Sequence, residues 1–332
     1  MATVPSERPV ISVVVAIVSD TTDRPDTTHL EPCLAALVLH QPGAPSTEII
    51  VPYHPAVAGI ARVSQQYPDV RFLEVADLRT AAGLGGGSRE HHDELRARGL
   101  AVARGDIVAL IEDVGIPAPD WIARVLEAHR QPFAGVGGAI ENGIDRPLNW
   151  AVYFCDFLRY QNPLPEGESA IASDANVSYK RTALESIRPV WEEFFHESSV
   201  NNALRSRGEK LALAPGVVLY QHRQGLRLGG ALKERYVWGR SYAATRARLA
   251  GTPKRAFWAV FTPALPALML ARMTLMVWKK RRTRGAFLKA LPLVAALVTS
   301  WSGGELVGYV TGRANAAGSQ AAEAIARGSQ AK

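Results

Sequence analysis

Two adjacent acids, Glu112 and Asp113, end the short apolar run in residues 106 to 121, DIVALIEDVGIPAPDW. A buried strand that ends in carboxylates delivers negative charge to the rim of a sheet, where open α/β folds bind their ligands. The same pattern also fits a strand that stops in a solvated acidic turn. Three later groups carry further chemistry. SDANVSYKR, Ser173 to Arg181, is a small-residue segment with Asn176 at its centre. In FFHESSVNNALRSRGEKL, Phe194 to Leu211, His196 and Glu197 precede an amphipathic helix that ends at Gly208. VVLYQHR reads as a strand that delivers His222.

The elements that must position these groups follow from periodicity. Apolar, β-branched runs recur at Val10 to Val18, Glu48 to Pro52, Val70 to Val75 and Ile107 to Ile111. Helix-like stretches, Leu30 to Leu39 and Glu90 to Ala103, lie between them, and apolar segments follow at Gly135 to Ile140 and Lys210 to Tyr220. Strands alternating with helices predict an α/β domain with a mostly parallel sheet. The GLGGG run, Gly83 to Gly87, invites comparison with a phosphate loop, but Ser88 occupies the sixth position where a dinucleotide fingerprint needs glycine. A loop that folds over a ligand is the preferred reading.

The chain has 332 residues, enough for one catalytic domain with an extension. Cys33 and Cys155 are too few for a disulfide framework and read as cytosolic thiols. MATVPSERPV has no long apolar stretch of the secretory kind, so the main domain is expected to face the cytoplasm. Charge divides the chain. Met1 to His222 carries 19 Lys and Arg against 28 Asp and Glu, a net of −9, whereas Arg223 to Lys332 carries 19 against 3, a net of +16. The basic part interleaves its charges with long apolar stretches, which favours anionic lipid over nucleic acid as its partner.

Phe257 to Trp278 is long enough to span a bilayer but contains Pro263, Pro266 and Arg272. Ala286 to Val310 is interrupted by Lys289, Pro292, Ser302, Gly303, Gly304 and Glu305, and KKRRTR, residues 279 to 284, lies between the two. A crossing by the first segment would carry that hexapeptide outside, against the positive-inside tendency. Two shallow or re-entrant helices resting on the anionic inner leaflet avoid the conflict and are preferred to one or two membrane-spanning helices; buried helices of a soluble domain are the alternative. The expected organisation is a flexible start (1–9), a catalytic domain (10–222), basic linker helices (223–256), a membrane-associated helical region (257–311) and a flexible tail (312–332).

Taken in order, these segments resemble the family 2 glycosyltransferases of GT-A fold, over roughly residues 10 to 240. ISVVVAIVSD is similar to the family's first strand, LEPCLAALVLH to its first helix and EIIVPY to its second strand. The Glu112–Asp113 pair with PAPDW stands where the family has its metal-binding carboxylates. SDANVSYKR stands at its donor and acceptor pocket, and HESSVNNALRSRG at its acidic dyad. The resemblance implies transfer of a sugar, with inversion, from a nucleotide-diphosphate sugar to a hydroxyl of a lipid-linked or glycan acceptor. It implies Glu197 as general base, against a plain helix N-terminal acid. It also implies donor contacts from Ser19, Tyr53, Arg98, Glu112, Asp113, Asn176 and Arg240, and a divalent cation, Mg²⁺ or Mn²⁺, on Asp113 and His222.

Two departures qualify that expectation. Val114 occupies the position of a second metal-binding acid, so either Asp113 takes the role after a small shift, or metal binding is weak and basic residues neutralise the phosphates instead. Tyr53 and His54 replace an aspartate expected near the base or ribose. KERYVWGR, Lys233 to Arg240, lacks the Gln-x-x-Arg-Trp motif of processive synthases, so one sugar per encounter is expected. A membrane-docked binding protein of the same fold that has lost turnover is the alternative; a nucleotidyltransferase ranks last, since no Gly- and Arg-rich loop follows the first strand.

Overall fold

The structure is a computed structural model and describes residues 8–19, 25–39, 41, 45–81, 84 and 88–314. Most of the GLGGG run, and the tail beyond residue 314, therefore lie outside the described residues.

The apolar runs form the expected strands. β1 (Ile11–Ala16), α1 (Leu30–Val38), β2 (Thr47–Tyr53), α2 (Ile60–Gln66), β3 (Arg71–Glu74), α3 (Glu90–Val102) and β4 (Ile107–Glu112) build a parallel half-sheet in the order β3-β2-β1-β4. Side-chain alternation sorts the strand residues between two cores. Val13 and Val15 of β1 join Ile111 and the apolar side chains of α1, whereas Val14 joins Leu110 and Leu100 beneath α3.

Beyond β4 the sheet becomes mixed. β5 (Gly115–Pro117), α4 (Trp121–Ala128), β6 (Gly135–Asn142), α5 (Pro147–Asp156), β7 (Gly167–Ser169) and β8 (Asn176–Lys180) follow in the chain. β8 lies antiparallel between β4 and β6, with Ile111 opposite Asn176. Two short helices, α6 (Arg181–Ser186) and α7 (Arg188–Trp191), lead to α8 (Glu197–Ser206) and β9 (Leu211–Gln221), which pairs parallel with β6. The ends of β1, β4, β6 and β9 and the start of β8 therefore open on one rim, and that rim carries the site.

Among the described residues, the basic part of the chain forms four α-helices: α9 (Leu228–Leu249), α10 (Thr252–Phe261), α11 (Leu265–Lys280) and α12 (Arg284–Thr311). A 3-10 turn at Thr262–Ala264 breaks the first apolar segment where Pro263 stands. The second segment is one continuous helix. Its interruptions are explained by packing: Phe287, Ala290, Val294 and Leu297 recur on one face and bury against α5, with the Phe287 ring edge-on to Phe154 at 5.1 Å. Farther along, Gly304 and Gly308 let the helix press onto α9. A Cβ at Gly304 would lie 2.0 Å from the Tyr236 carbonyl oxygen, and one at Gly239 would lie 2.2 Å from that of Trp301. These glycines bring two backbones together; they are not breaks.

α9 and α12 run parallel, since Ser300 bonds the Leu232 carbonyl and Arg246 reaches the Tyr309 hydroxyl at 3.0 Å. The turn between α11 and α12 returns to the sheet domain. There Lys280 donates to the Gln161 and Pro163 carbonyls, and Arg282 pairs with Glu141 at 2.9 Å.

Candidate active site

The rim carries a cavity of about 410 Å³, lined by Glu112 from β4, Ser173 and Asp174 before β8, Glu197 from α8 and Gln221 from β9, with Arg89 and His92 beside them. α3 supplies the charge that holds these acids together. The Arg96 side chain is 1% exposed, and its guanidinium lies 2.9 Å from Glu112, 3.1 Å from Asp174 and 3.1 Å from Asp93. Gln221 donates a second bond to Glu112 at 3.3 Å. Arg89 approaches Asp174 at 3.6 Å and lies over the Trp238 ring of α9.

Two guanidiniums cannot keep four neighbouring carboxylates ionised in a buried place. Burial pushes Glu112 up to about 7 despite Arg96, and pushes Asp93 up to about 7. Glu197 rises to about 8, from burial first and the nearby charge of Asp174 second. Asp174 goes the other way: burial opposes its charge, but Arg96 and Arg89 outweigh that and hold it below the ordinary aspartate range. The site thus contains one acid held ionised and, in Glu197, a carboxyl poised to exchange a proton near neutrality.

Comparison with known proteins gives a structural likeness and no sequence match. No protein-family model matches the chain, and no curated protein does. Among solved structures, the mannosyltransferase PcManGT from Pyrobaculum calidifontis, solved in complex with GDP-Man and Mn²⁺, superposes with a TM-score of 0.50 at 16% identity, over 92% of this chain and 89% of that one. The chain has a GT-A-like fold. The GT-A likeness spans the C-terminal helices as well as the sheet, because the matched length exceeds the sheet domain.

Within this GT-A frame, two of the residues expected at the site line the cavity: Glu112 and Glu197. The others lie elsewhere. Asp113 is fully buried and faces back to the loop after β1, accepting from the Val18 N–H at 2.8 Å, the Ser19 N–H at 3.3 Å and the Ser19 hydroxyl. Ser19 therefore serves as its partner. Asn176 is a buried strut: its amide donates to the carbonyls of Ala139 and Val217 and accepts from the Trp121 indole at 3.0 Å. The Tyr53 hydroxyl donates to Glu74, Arg98 pairs with Asp77, and Arg240 donates to the Arg313 carbonyl. His222 lines a separate shallow cleft with Pro32, Ile116 and Tyr220.

The structure places the two expected metal ligands in different surroundings. Both Asp113 oxygens are engaged by the β1 loop, and His222 opens on another cleft. Among the described residues, no group of three or more His, Cys, Asp or Glu side chains has the arrangement of a metal site. A divalent ion on Asp113 and His222 does not fit this donor set.

Arg96, Arg89 and Asp174 were not foreseen. Arg98 was chosen from the RARG stretch, but two residues along a helix turn a side chain by about 200°, so Arg96 faces the site and Arg98 the opposite side. Asp174 had a signal: it is the only acid in SDANVSYKR.

Proposed function

We propose that this protein is an inverting glycosyltransferase that moves a sugar from a nucleotide-diphosphate sugar to an acceptor hydroxyl at the cytoplasmic face of a membrane. The observation that carries the reading is the convergence of Glu112, Asp174 and Glu197 on one cavity at the strand ends of a GT-A-like fold. Glu197 is the general base. Its carboxylate takes the acceptor proton as the acceptor oxygen bonds to the anomeric carbon and the nucleoside diphosphate departs with its electron pair. The Asp174 N–H, 3.3 Å from Glu197 Oε2, orients that carboxylate. Arg89, exposed at the cavity and stacked on Trp238, neutralises the diphosphate. PcManGT was solved with GDP-Man, which makes that nucleotide sugar the first donor to try.

Membrane association without crossing is supported by the helices. Thr252–Lys280 and Arg284–Thr311 are long and apolar enough to span a bilayer by length and composition. A crossing by α10–α11 would pull Lys280 and Arg282 off the sheet domain. A crossing by α12 would draw α9 into hydrocarbon with Arg240, Arg246 and Arg248. Lying flat, α10 and α11 present Phe257, Val260, Phe261, Leu268 and Leu275 outward.

Incubation of the purified full-length chain with a panel of nucleotide sugars tests the proposal, by binding and by release of nucleoside diphosphate. Silence in both assays against every donor overturns it. The engagement of Asp113 favours a second reading, a donor-binding protein without turnover. Glu197→Gln separates the two: an enzyme loses most turnover and keeps donor binding, whereas a binding protein is unchanged in both.

A further inference from the structure

The far wall of the cavity belongs to α11. Met269, Arg272, Met273 and Met276 line it, a spacing of three, one and three residues that gathers them on one helix face. A flanking face, with Leu268 at 54% and Leu275 at 71% exposure, points away from the protein. Across the cavity stand Val152 and Phe157. The lining is therefore graded, from carboxylates at the sheet rim to methionines beneath a helix whose outer surface is apolar. Flexible, polarisable methionines suit a ligand of irregular apolar shape.

Arg272 is the only charged residue between Phe257 and Trp278. It lines the cavity and makes no ion pair or hydrogen bond with another described residue. A guanidinium set into an apolar helix, partway between acids and methionines, matches a phosphate that joins a polar head to an apolar chain.

We infer that the acceptor is an anionic lipid whose hydroxyl-bearing head reaches Glu197, whose phosphate lies on Arg272, and whose chain leaves between α5 and α11 past Met273 and Met276. The inference rests on the transferase reading for the use of the head, and on the cavity alone for the chain. In the transfer, the lipid hydroxyl forms the bond to the anomeric carbon, the bond from that carbon to the diphosphate oxygen breaks, the leaving diphosphate keeps the electron pair, and Glu197 holds the proton.

The test uses the full-length chain on phosphatidylcholine vesicles doped with phosphatidic acid that carries a diazirine in its acyl chain. After irradiation, adducts are mapped by mass spectrometry, and GDP-Man and other nucleotide sugars are titrated in parallel. The expected result is labelling at Met273 and Met276 in the unsubstituted protein, with the Met276 labelling falling at least severalfold in Met273→Trp, which fills the channel, and in Arg272→Gln. Met273→Leu, which keeps the volume, retains it, and donor affinity is the same in all four proteins. Adducts confined to Leu268 and Leu275, or labelling of Met276 indifferent to Met273→Trp and Arg272→Gln, overturn the inference while leaving donor binding intact. Channel labelling in a protein that binds no nucleotide sugar overturns the transferase reading and upholds the lipid channel.

Discussion

The Arg96 guanidinium stands 2.9 Å from Glu112 at the end of β4 and also touches Asp174 at 3.1 Å, so one buried cation ties the parallel half of the sheet to the segment before the antiparallel strand β8. Removing it leaves Glu112 and Asp93 in a buried place without their guanidinium, and Asp174 with Arg89 alone. Arg96→Met is expected to cost about 3–5 kcal/mol, the usual penalty for breaking a buried ion pair. Arg96→Lys recovers part of that, because a single ammonium cannot replace a fork that reaches three carboxylates. Urea unfolding of both variants reads the difference.

Stability is expected to depend on pH with a definite sign. Glu197, Glu112 and Asp93 titrate higher in the folded protein, at about 8, 7 and 7, than their ordinary values of 4.5, 4.5 and 3.8. Between those limits the folded state holds protons that the unfolded state has released. Their contribution is therefore full below pH 4 and is lost as pH rises toward 8, at up to about 1.4 kcal/mol per unit for each group. Asp174, lowered by Arg96 and Arg89, contributes in the opposite sense, above its ordinary value of 3.8. Thermal melts from pH 5 to 8.5 check the slope, and Glu197→Gln should flatten its upper part.

The donor set at Asp113 predicts a modest metal effect. Donor affinity measured by calorimetry is expected to change less than about tenfold, 1.4 kcal/mol, when EDTA replaces Mn²⁺. Asp113→Ala, by contrast, unties the loop after β1 at about 1–3 kcal/mol, through the Val18 and Ser19 N–H groups it leaves without their acceptor.

Neighbouring glycines in α12 should behave oppositely. A Cβ at Gly303 meets nothing within 4 Å, so Gly303→Ala is expected to stabilise the helix by up to about 1 kcal/mol. Gly304→Ala collides with the Tyr236 carbonyl and the Arg240 amide, and should open the contact between α9 and α12. Melting temperature and proteolysis in the 249–252 turn distinguish them.

The sheet was legible because its strands are short β-branched runs between amphipathic helices, a pattern that needs no partner to be read. Glu112 and Glu197 were legible because an acid at a strand end and an acid at a helix start are marked by position. Arg96 was not. α3 buries charged residues over most of its surface, among them Glu90, Asp93, Glu94 and Arg96, so no apolar stripe showed which face turned inward. Asp113 looked like a ligand because sequence cannot show that its oxygens are already held by a loop ninety-odd residues earlier. In α12, Gly304 read as an interruption because its value lies in the helix opposite.

The close crossing of α9 and α12 has a mechanical consequence. Trp238, which walls the cavity, is the residue before Gly239, and Gly239 bears directly on the Trp301 backbone. The outer helices and the cavity thus share one close backbone joint. On the proposed membrane docking, the protein would work as a gauge of height: its acids would stand at one elevation over the surface on which the outer helices rest, and only heads that rise to that elevation would be within reach.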